Sequence, residues 1–201
     1  MTNFSFAVLI SGNGSNLQAM IDAIKGNQIY GKICCVLSNK EDAYGLQRAQ
    51  EVKIPTEVVS NKDFETREDF DAEMVRVLSI YNPDLIVLAG FMRILSPVFV
   101  NAFPGKILNI HPSLLPKYPG LNTHERVLDS SDNIHGITVH FVDETLDGGP
   151  ICAQSKFEVK TKSIESLEKR VHELEHIIYP KVIKEISQGR ITLSEGKVIK
   201  I

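Results

Sequence analysis

With 201 residues, 43% of them hydrophobic and 23% charged, the chain has the composition of one folded domain with a sizeable core. Its net charge of −3 argues against a generally basic surface for nucleic acid or an anionic membrane. Three cysteines, two of them adjacent at Cys34 and Cys35, give neither a C-x-x-C pair nor an even disulfide set, and neither a leader segment nor a membrane-length apolar run is read, so a cytoplasmic protein is expected.

Residues 4–10 are apolar and nearly continuous, the pattern of a buried parallel strand. Ser11-Gly12-Asn13-Gly14-Ser15-Asn16 follows, and residues 17–24 read as a helix. A strand, a glycine-rich loop and a helix start can cradle a phosphate, because glycine admits close backbone approach and the first helical N–H groups favour an anion. The spacing is neither G-x-G-x-x-G nor a P-loop with its lysine, which leaves a single phosphate or a tight turn with Ser15 or Asn16 as helix cap.

Residues 33–38 form a second strand, 43–52 a helix and 56–59 a third strand. Cys34 and Cys35, neighbours in that second strand, are expected to face opposite ways and to stay reduced and structural. The β-α-β-α-β order implies parallel pairing with right-handed crossovers. Residues 66–80 are amphipathic, with Phe70, Met74 and Val77 or Leu78 on one stripe. Arg67 stands at the start of this helix, where the dipole favours acids; it is either a ligand contact or a solvated surface residue.

Residues 84–89 are the clearest buried strand, and Ser96-Pro97 opens a short helix by the cap and first-turn rules. Between them, Gly90-Phe91-Met92-Arg93-Ile94-Leu95 either lines a pocket for a flat ring at a strand's carboxyl end or fills core. Ile107 and Leu108 lead into Asn109-Ile110-His111, and Pro112 ends the strand. Strand alternation projects Asn109 and His111 from one face. An amide beside an imidazole suits acyl or formyl transfer, one holding an oxyanion and the other moving a proton, although such residues also cap turns.

Residues 117–120 read as a turn, with a short helix from Thr123. Residues 136–142 alternate, with Thr138, His140 and Val142 on one face. The acidic loop Asp143-Glu144-Thr145-Leu146-Asp147-Gly148-Gly149-Pro150 either returns Asp147 to a site or is a plain turn. A strand over 151–159, a long helix over 163–186 and a hairpin over 190–201 complete the chain. The expected class is α/β: one Rossmann-like domain with a mostly parallel central sheet flanked by helices.

His172-Glu173-Leu174-Glu175-His176 fits H-E-x-x-H on a helix, the zinc-peptidase pattern. A catalytic zinc wants a third protein ligand, and the residues that follow offer only Glu185 and Glu195. Leu167, Val171, Leu174 and Ile178 form the expected apolar stripe, which leaves both histidines off the core and Glu175 beside it, so no metal is expected.

Four segments together resemble the phosphoribosylglycinamide formyltransferases, folate-dependent enzymes of purine synthesis: Gly12 to Gln18, Leu88 to Leu95, Asn109 to Pro116 and Leu146 to Pro150. The likeness runs from Phe6 to about Arg190. It implies a single domain over 1–201, with a phosphate-binding half over about 1–100, a folate and catalytic half over about 101–190, and the terminal hairpin. By this resemblance Gly14, Ser15, Asn16 and Glu175 hold phosphoribosylglycinamide. Arg67, Met92, Arg93, Ile94, Leu95, Asn109 and the loop Asp143, Glu144, Thr145, Leu146, Asp147 hold the folate. Asn109, His111 and Asp147 are the implied catalytic trio, and 10-formyltetrahydrofolate the co-substrate, with no metal, nucleic acid or membrane and a monomer or weak homodimer. A related formyltransferase acting on initiator tRNA would be expected to add a further domain, and so would a formyltetrahydrofolate hydrolase. A non-catalytic phosphosugar binder would have no need of the trio.

Overall fold

A computed structural model describes residues 4–201. β1 (Ser5–Ile10) is buried at every position. Phe6, Val8 and Ile10 join one apolar layer and Ala7 and Leu9 the other, so both faces of the strand are covered. α1 (Ser15–Lys25), β2 (Lys32–Ser38), α2 (Tyr44–Glu51) and β3 (Thr56–Val58) extend the sheet to one side in parallel register. A 3-10 turn (Asn61–Asp63) and α3 (Arg67–Tyr81) then bring the chain back to β4 (Leu85–Leu88), on the other side of β1. α4 (Pro97–Ala102) leads to β5 (Ile107–His111), parallel to β4.

After α5 (Thr123–Leu128), β6 (Ile134–Phe141) and β7 (Ile151–Glu158) pair antiparallel, giving the seven-stranded order β3-β2-β1-β4-β5-β6-β7. Parallel pairing needs a crossover of about a dozen residues or more, and β6 reaches β7 through the short loop over 142–150. The expected mostly parallel sheet is therefore parallel through β5 and antiparallel beyond it. α6 (Ile164–Ser187) packs against α1 and β6, and β8 (Ile191–Ser194) with β9 (Lys197–Lys200) makes a separate hairpin. No helix of the described residues is long and apolar enough to cross a membrane.

The topology fixes where a ligand goes. From β1 the chain winds outward to β2 and β3, then returns to β4 and β5. The crevice outside the carboxyl ends of β1 and β4 is therefore a topological switch point, the usual ligand position in open α/β sheets.

Three local expectations need correction. First, α1 is capped by neither Ser15 nor Asn16: its cap is Gly14, left-handed at φ 72, and no side chain bonds the helix start. A Cβ at Gly14 would lie 2.7 Å from the Gly45 Cα, so both the left-handed backbone and the close approach require glycine. Second, Pro97 opens α4, but the Ser96 side chain makes no cap bond; its backbone N–H instead donates to the buried Asp71 carboxylate of α3. Third, the buried row of α6 is Leu167, Val171, Glu175, Tyr179 and Ile183, at four-residue steps, with Leu174 and Ile178 only partly buried. Glu175 thus lies within the core row, because its partner Asn16 is there to receive it.

Candidate active site

Loops from the carboxyl ends of β1, β4 and β5 meet at the switch point. Ser11, just beyond β1, ties two of them: its Oγ donates to Asn39 Oδ1 at 2.6 Å and accepts from the Met92 N–H at 2.8 Å. Asp71 holds the far end of the 90–96 loop through Ser96. Burial raises the Asp71 carboxyl above the usual range, opposed by that hydrogen bond. Between the two anchors Met92, Arg93 and Ile94 are exposed and Leu95 is half-buried. Core filling therefore accounts for Phe91 and Leu95 of this loop, which pack against the apolar layer, and not for the three residues between them.

The helix start of α1 supplies N–H groups that no side chain caps. Arg48 clamps the loop from behind, donating to the Asn13 carbonyl at 2.9 Å, to Asn13 Oδ1 at 3.1 Å and to Gln18 Oε1 at 3.1 Å, with its guanidinium over the Tyr44 ring. Asn16, the second residue of α1, donates from Nδ2 to Glu175 Oε2 at 2.9 Å. Both side chains are buried, and Asn16 Oδ1 has no partner. Burial pushes the Glu175 carboxyl upward, opposed by the Asn16 hydrogen bond. A buried pair with one polar atom unsatisfied beside an uncapped helix start is suited to a ligand carrying phosphate and hydroxyl groups.

The amide, imidazole and carboxylate read from sequence come together. Asn109 and His111 lie on β5, and Asp147 returns from the β6–β7 loop to place Oδ2 3.4 Å from His111 Nδ1. His111 Nε2 donates to the Tyr118 carbonyl at 2.8 Å. Asp147 Oδ2 also accepts from the Gly120 N–H at 2.8 Å. Tyr118 and Asp147, which face the two imidazole nitrogens, both hold left-handed backbone, at φ 57 and φ 51. Such conformations are costly outside glycine and persist where the surroundings over-determine them.

His140 is a member of this cluster that the sequence reading did not single out. It is buried on β6, opposite Asn109 in the antiparallel register. Its Nδ1 donates to the Phe141 carbonyl at 2.9 Å, which leaves Nε2 as an acceptor, 3.2 Å from Asn109 Nδ2 and 3.8 Å from Asp147 Oδ1. Burial pushes the His140 imidazole down, partly offset by the Phe141 carbonyl and Asp147. A neutral His140 therefore takes one hydrogen of the Asn109 amide and leaves the other for a substrate oxygen. The alternation of β6 places His140 on one face with Thr138 and Val142, and only the β5–β6 register brings it to Asn109.

The remaining sites fall less tightly together. Arg67 opens α3, is exposed and pairs with Glu68 at 3.3 Å; Thr66 caps that helix by accepting from the Asp69 N–H at 3.1 Å. In the 143–147 loop, Asp143 accepts from the Thr145 N–H at 2.8 Å, Glu144 accepts from Asn101 of α4 at 3.0 Å and Leu146 is exposed over Gly120. A cleft of about 540 Å³ between α1, α2 and α6 takes in Ser15, Gln18, Arg48 and His176, but no member of the trio. The His172 and His176 rings stack with centroids 6.2 Å apart, and no group of three or more metal-ligating side chains occurs among the described residues.

A Rossmann-like crevice with an uncapped helix start on one side and a fixed amide–imidazole–carboxylate cluster on the other defines an α/β enzyme equipped for acyl-type group transfer. The formyl transferase family matches residues 4–183, and the chain belongs to that family. It is 51% identical over 193 residues to a phosphoribosylglycinamide formyltransferase of Escherichia coli (strain K12), covering 96% of this chain and 91% of that protein. It is 49% identical over 191 residues to a trifunctional purine biosynthetic protein of Chironomus tentans, covering 94% of this chain and 14% of that protein. The crystal structure of a glycinamide ribonucleotide transformylase from Symbiobacterium toebii superposes with a TM-score of 0.95 at 38% identity, over 98% of this chain and 94% of that one.

Proposed function

We propose that the chain transfers the formyl group of 10-formyltetrahydrofolate to the amine of 5-phosphoribosylglycinamide, giving formylglycinamide ribonucleotide and tetrahydrofolate in purine (IMP) synthesis. The observation that carries this is the convergence of Asn109, His111 and Asp147 at the mouth that also holds the 12–16 loop and Glu175.

The substrate phosphate binds at Gly14, Ser15 and Asn16, and Glu175 takes a hydroxyl of the sugar. Arg67, residues 92–95, Asn109 and residues 143–147 hold the folate. The amine attacks the formyl carbon, and the former carbonyl oxygen gains negative charge. The free N–H of Asn109 and the imidazolium of His111 stabilise that oxygen, so the substrate oxygen takes the place of the Tyr118 carbonyl on Nε2. With Nε2–H donated forward and Nδ1 facing Asp147, both ring nitrogens are bonded only in the imidazolium, which is the form that can stabilise the oxyanion. As the tetrahedral intermediate collapses, the C–N bond to the folate breaks and the amine proton passes to the folate nitrogen. The enzyme acts on small molecules in the cytoplasm, as a monomer or weak homodimer.

The test is purified protein with 10-formyltetrahydrofolate, with and without phosphoribosylglycinamide, followed by tetrahydrofolate formation. Turnover only with the ribonucleotide is expected. Turnover without it would mean hydrolysis, and folate binding with no turnover in either tube would remove the assignment of the 14–16 loop.

A further inference from the structure

Away from the active-site mouth, in the amino-terminal half of β2, the pairing with β1 slips. Phe6 pairs with Ile33 and Ala7 with Cys35, so Cys34 is an extra residue in β2. Adjacent residues of a regular strand face opposite ways, and a bulge breaks that alternation. The expectation that Cys34 and Cys35 part company is therefore overturned. Both pack in the apolar layer beneath α3, Cys35 fully buried and Cys34 half-buried. The bulge thus turns two adjacent thiols toward the same face of β2. Tyr81 of α3 packs in the same layer and donates from its hydroxyl to Glu57 of β3.

We propose that Cys34 and Cys35 form a dithiol site that captures a trivalent arsenical through both sulfurs. Neighbouring Cα atoms are about 3.8 Å apart, shorter than the roughly 4.4–6.8 Å that disulfides span, so a direct S–S bond would require the backbone to move. A third atom bound between the sulfurs widens the ring and removes that demand. Cys34 is the entry point: it is the more accessible thiol, and the neighbouring Cys35 side chain, with the Lys32 cation adding to it, holds its pKa below the usual thiol value. Burial and the neighbouring thiol hold Cys35 protonated until its partner has reacted. With phenylarsine oxide the step balances without redox change. Two S–H bonds and the arsenic–oxygen bonds break, two As–S bonds form, one water leaves, and arsenic stays trivalent. Cys152, buried on β7, has no second thiol beside it and can offer only a single bond.

The experiment treats the folded protein with one equivalent of phenylarsine oxide and reads intact mass under native conditions, in wild type, Cys34→Ser, Cys35→Ala and Cys152→Ala. The expected result is a single adduct equal to one phenylarsenic group less two hydrogens. It should resist excess 2-mercaptoethanol, be stripped by 2,3-dimercaptopropanol, and persist only in wild type and Cys152→Ala. Circular dichroism and formyl transfer report whether each variant is folded. Cys34→Ser, at a half-exposed position, keeps the comparison decisive if Cys35→Ala is unstable. An unmodified wild-type protein, or an equally resistant adduct on Cys34→Ser, would overturn the proposal.

Discussion

His111 and Asp147 are joined across the mouth of the sheet, Nδ1 to Oδ2 at 3.4 Å, with both side chains largely buried. The contact closes a gap of some thirty-five residues between the end of β5 and the β6–β7 loop. Burial makes the pairing consequential, because a carboxylate held out of water beside Nδ1 fixes the plane of the imidazole. Asn109→Ala and His111→Ala should each lower kcat by on the order of 100- to 1,000-fold, the usual loss for one oxyanion donor. Asp147→Asn should cost a similar factor while keeping an acceptor for the Gly120 N–H. Unfolding midpoints should remain near wild type in all three. Near-wild-type turnover in Asn109→Ala and His111→Ala together would sink the assigned roles.

His140 offers a separable test, since it touches the amide and not the reacting carbon. His140→Ala removes the acceptor that takes one hydrogen of Asn109. The amide then turns freely, and a misplacement of about 1 Å costs roughly 100-fold in rate. The loss should appear in kcat with little change in KM for either substrate. His140→Gln, which restores an acceptor oxygen, should recover part of it. A fall in KM-derived affinity with kcat intact would assign His140 to folate binding instead.

Much of this was legible in the sequence because it depends on local order. The apolar run of β1, the glycine loop, the Asn-Ile-His alternation of β5 and the paired glycines after Asp147 each carry their geometry in a few residues. What stayed hidden depends on contacts between distant segments. His140 needs the register of β6 on β5. Tyr179 donates from α6 to the carbonyls of Leu88 and Leu108, at 2.9 and 3.0 Å, and so pins the ends of two strands from some seventy to ninety residues away. The Cys34 bulge is invisible because a strand read alone has no partner to slip against. Asp71 of α3, which accepts the Ser96 N–H, is separated from it by some twenty-five residues and has no local signal.

Gly149 is required by space and not by backbone angle. A Cβ there would stand 2.0 Å from the Phe141 carbonyl oxygen, in the backbone of β6, where nothing flexible can yield. Gly149→Ala should therefore push the loop away from the sheet, destabilise the protein by about 1–3 kcal/mol and carry Asp147 off His111. Chemical denaturation and kcat measured on the same preparation check both halves. A normal rate with a lowered midpoint would mean that the loop repairs itself around Asp147.

The buried histidines set how stability depends on acid. Burial, with the His124 and His111 cations adding to it, pushes the imidazole of His135 down to about 4, while an unfolded histidine titrates near 6.5. Between those values the unfolded chain binds more protons than the folded one. Stability is therefore fully present above about pH 6.5 and is lost as the pH falls toward 4, at roughly 1.4 kcal/mol per unit for this one group. Burial lowers His124, His140 and His176 in the same direction, so their contributions add to the slope. Urea midpoints should drop clearly between pH 7.5 and pH 5. His135→Leu should flatten that fall without abolishing it, since the other three imidazoles still titrate. The raised carboxyls of Glu175 and Asp71 take up protons in the folded protein and oppose this fall, so the decisive comparison is His135→Leu: a pH dependence identical to wild type would remove His135 from the slope.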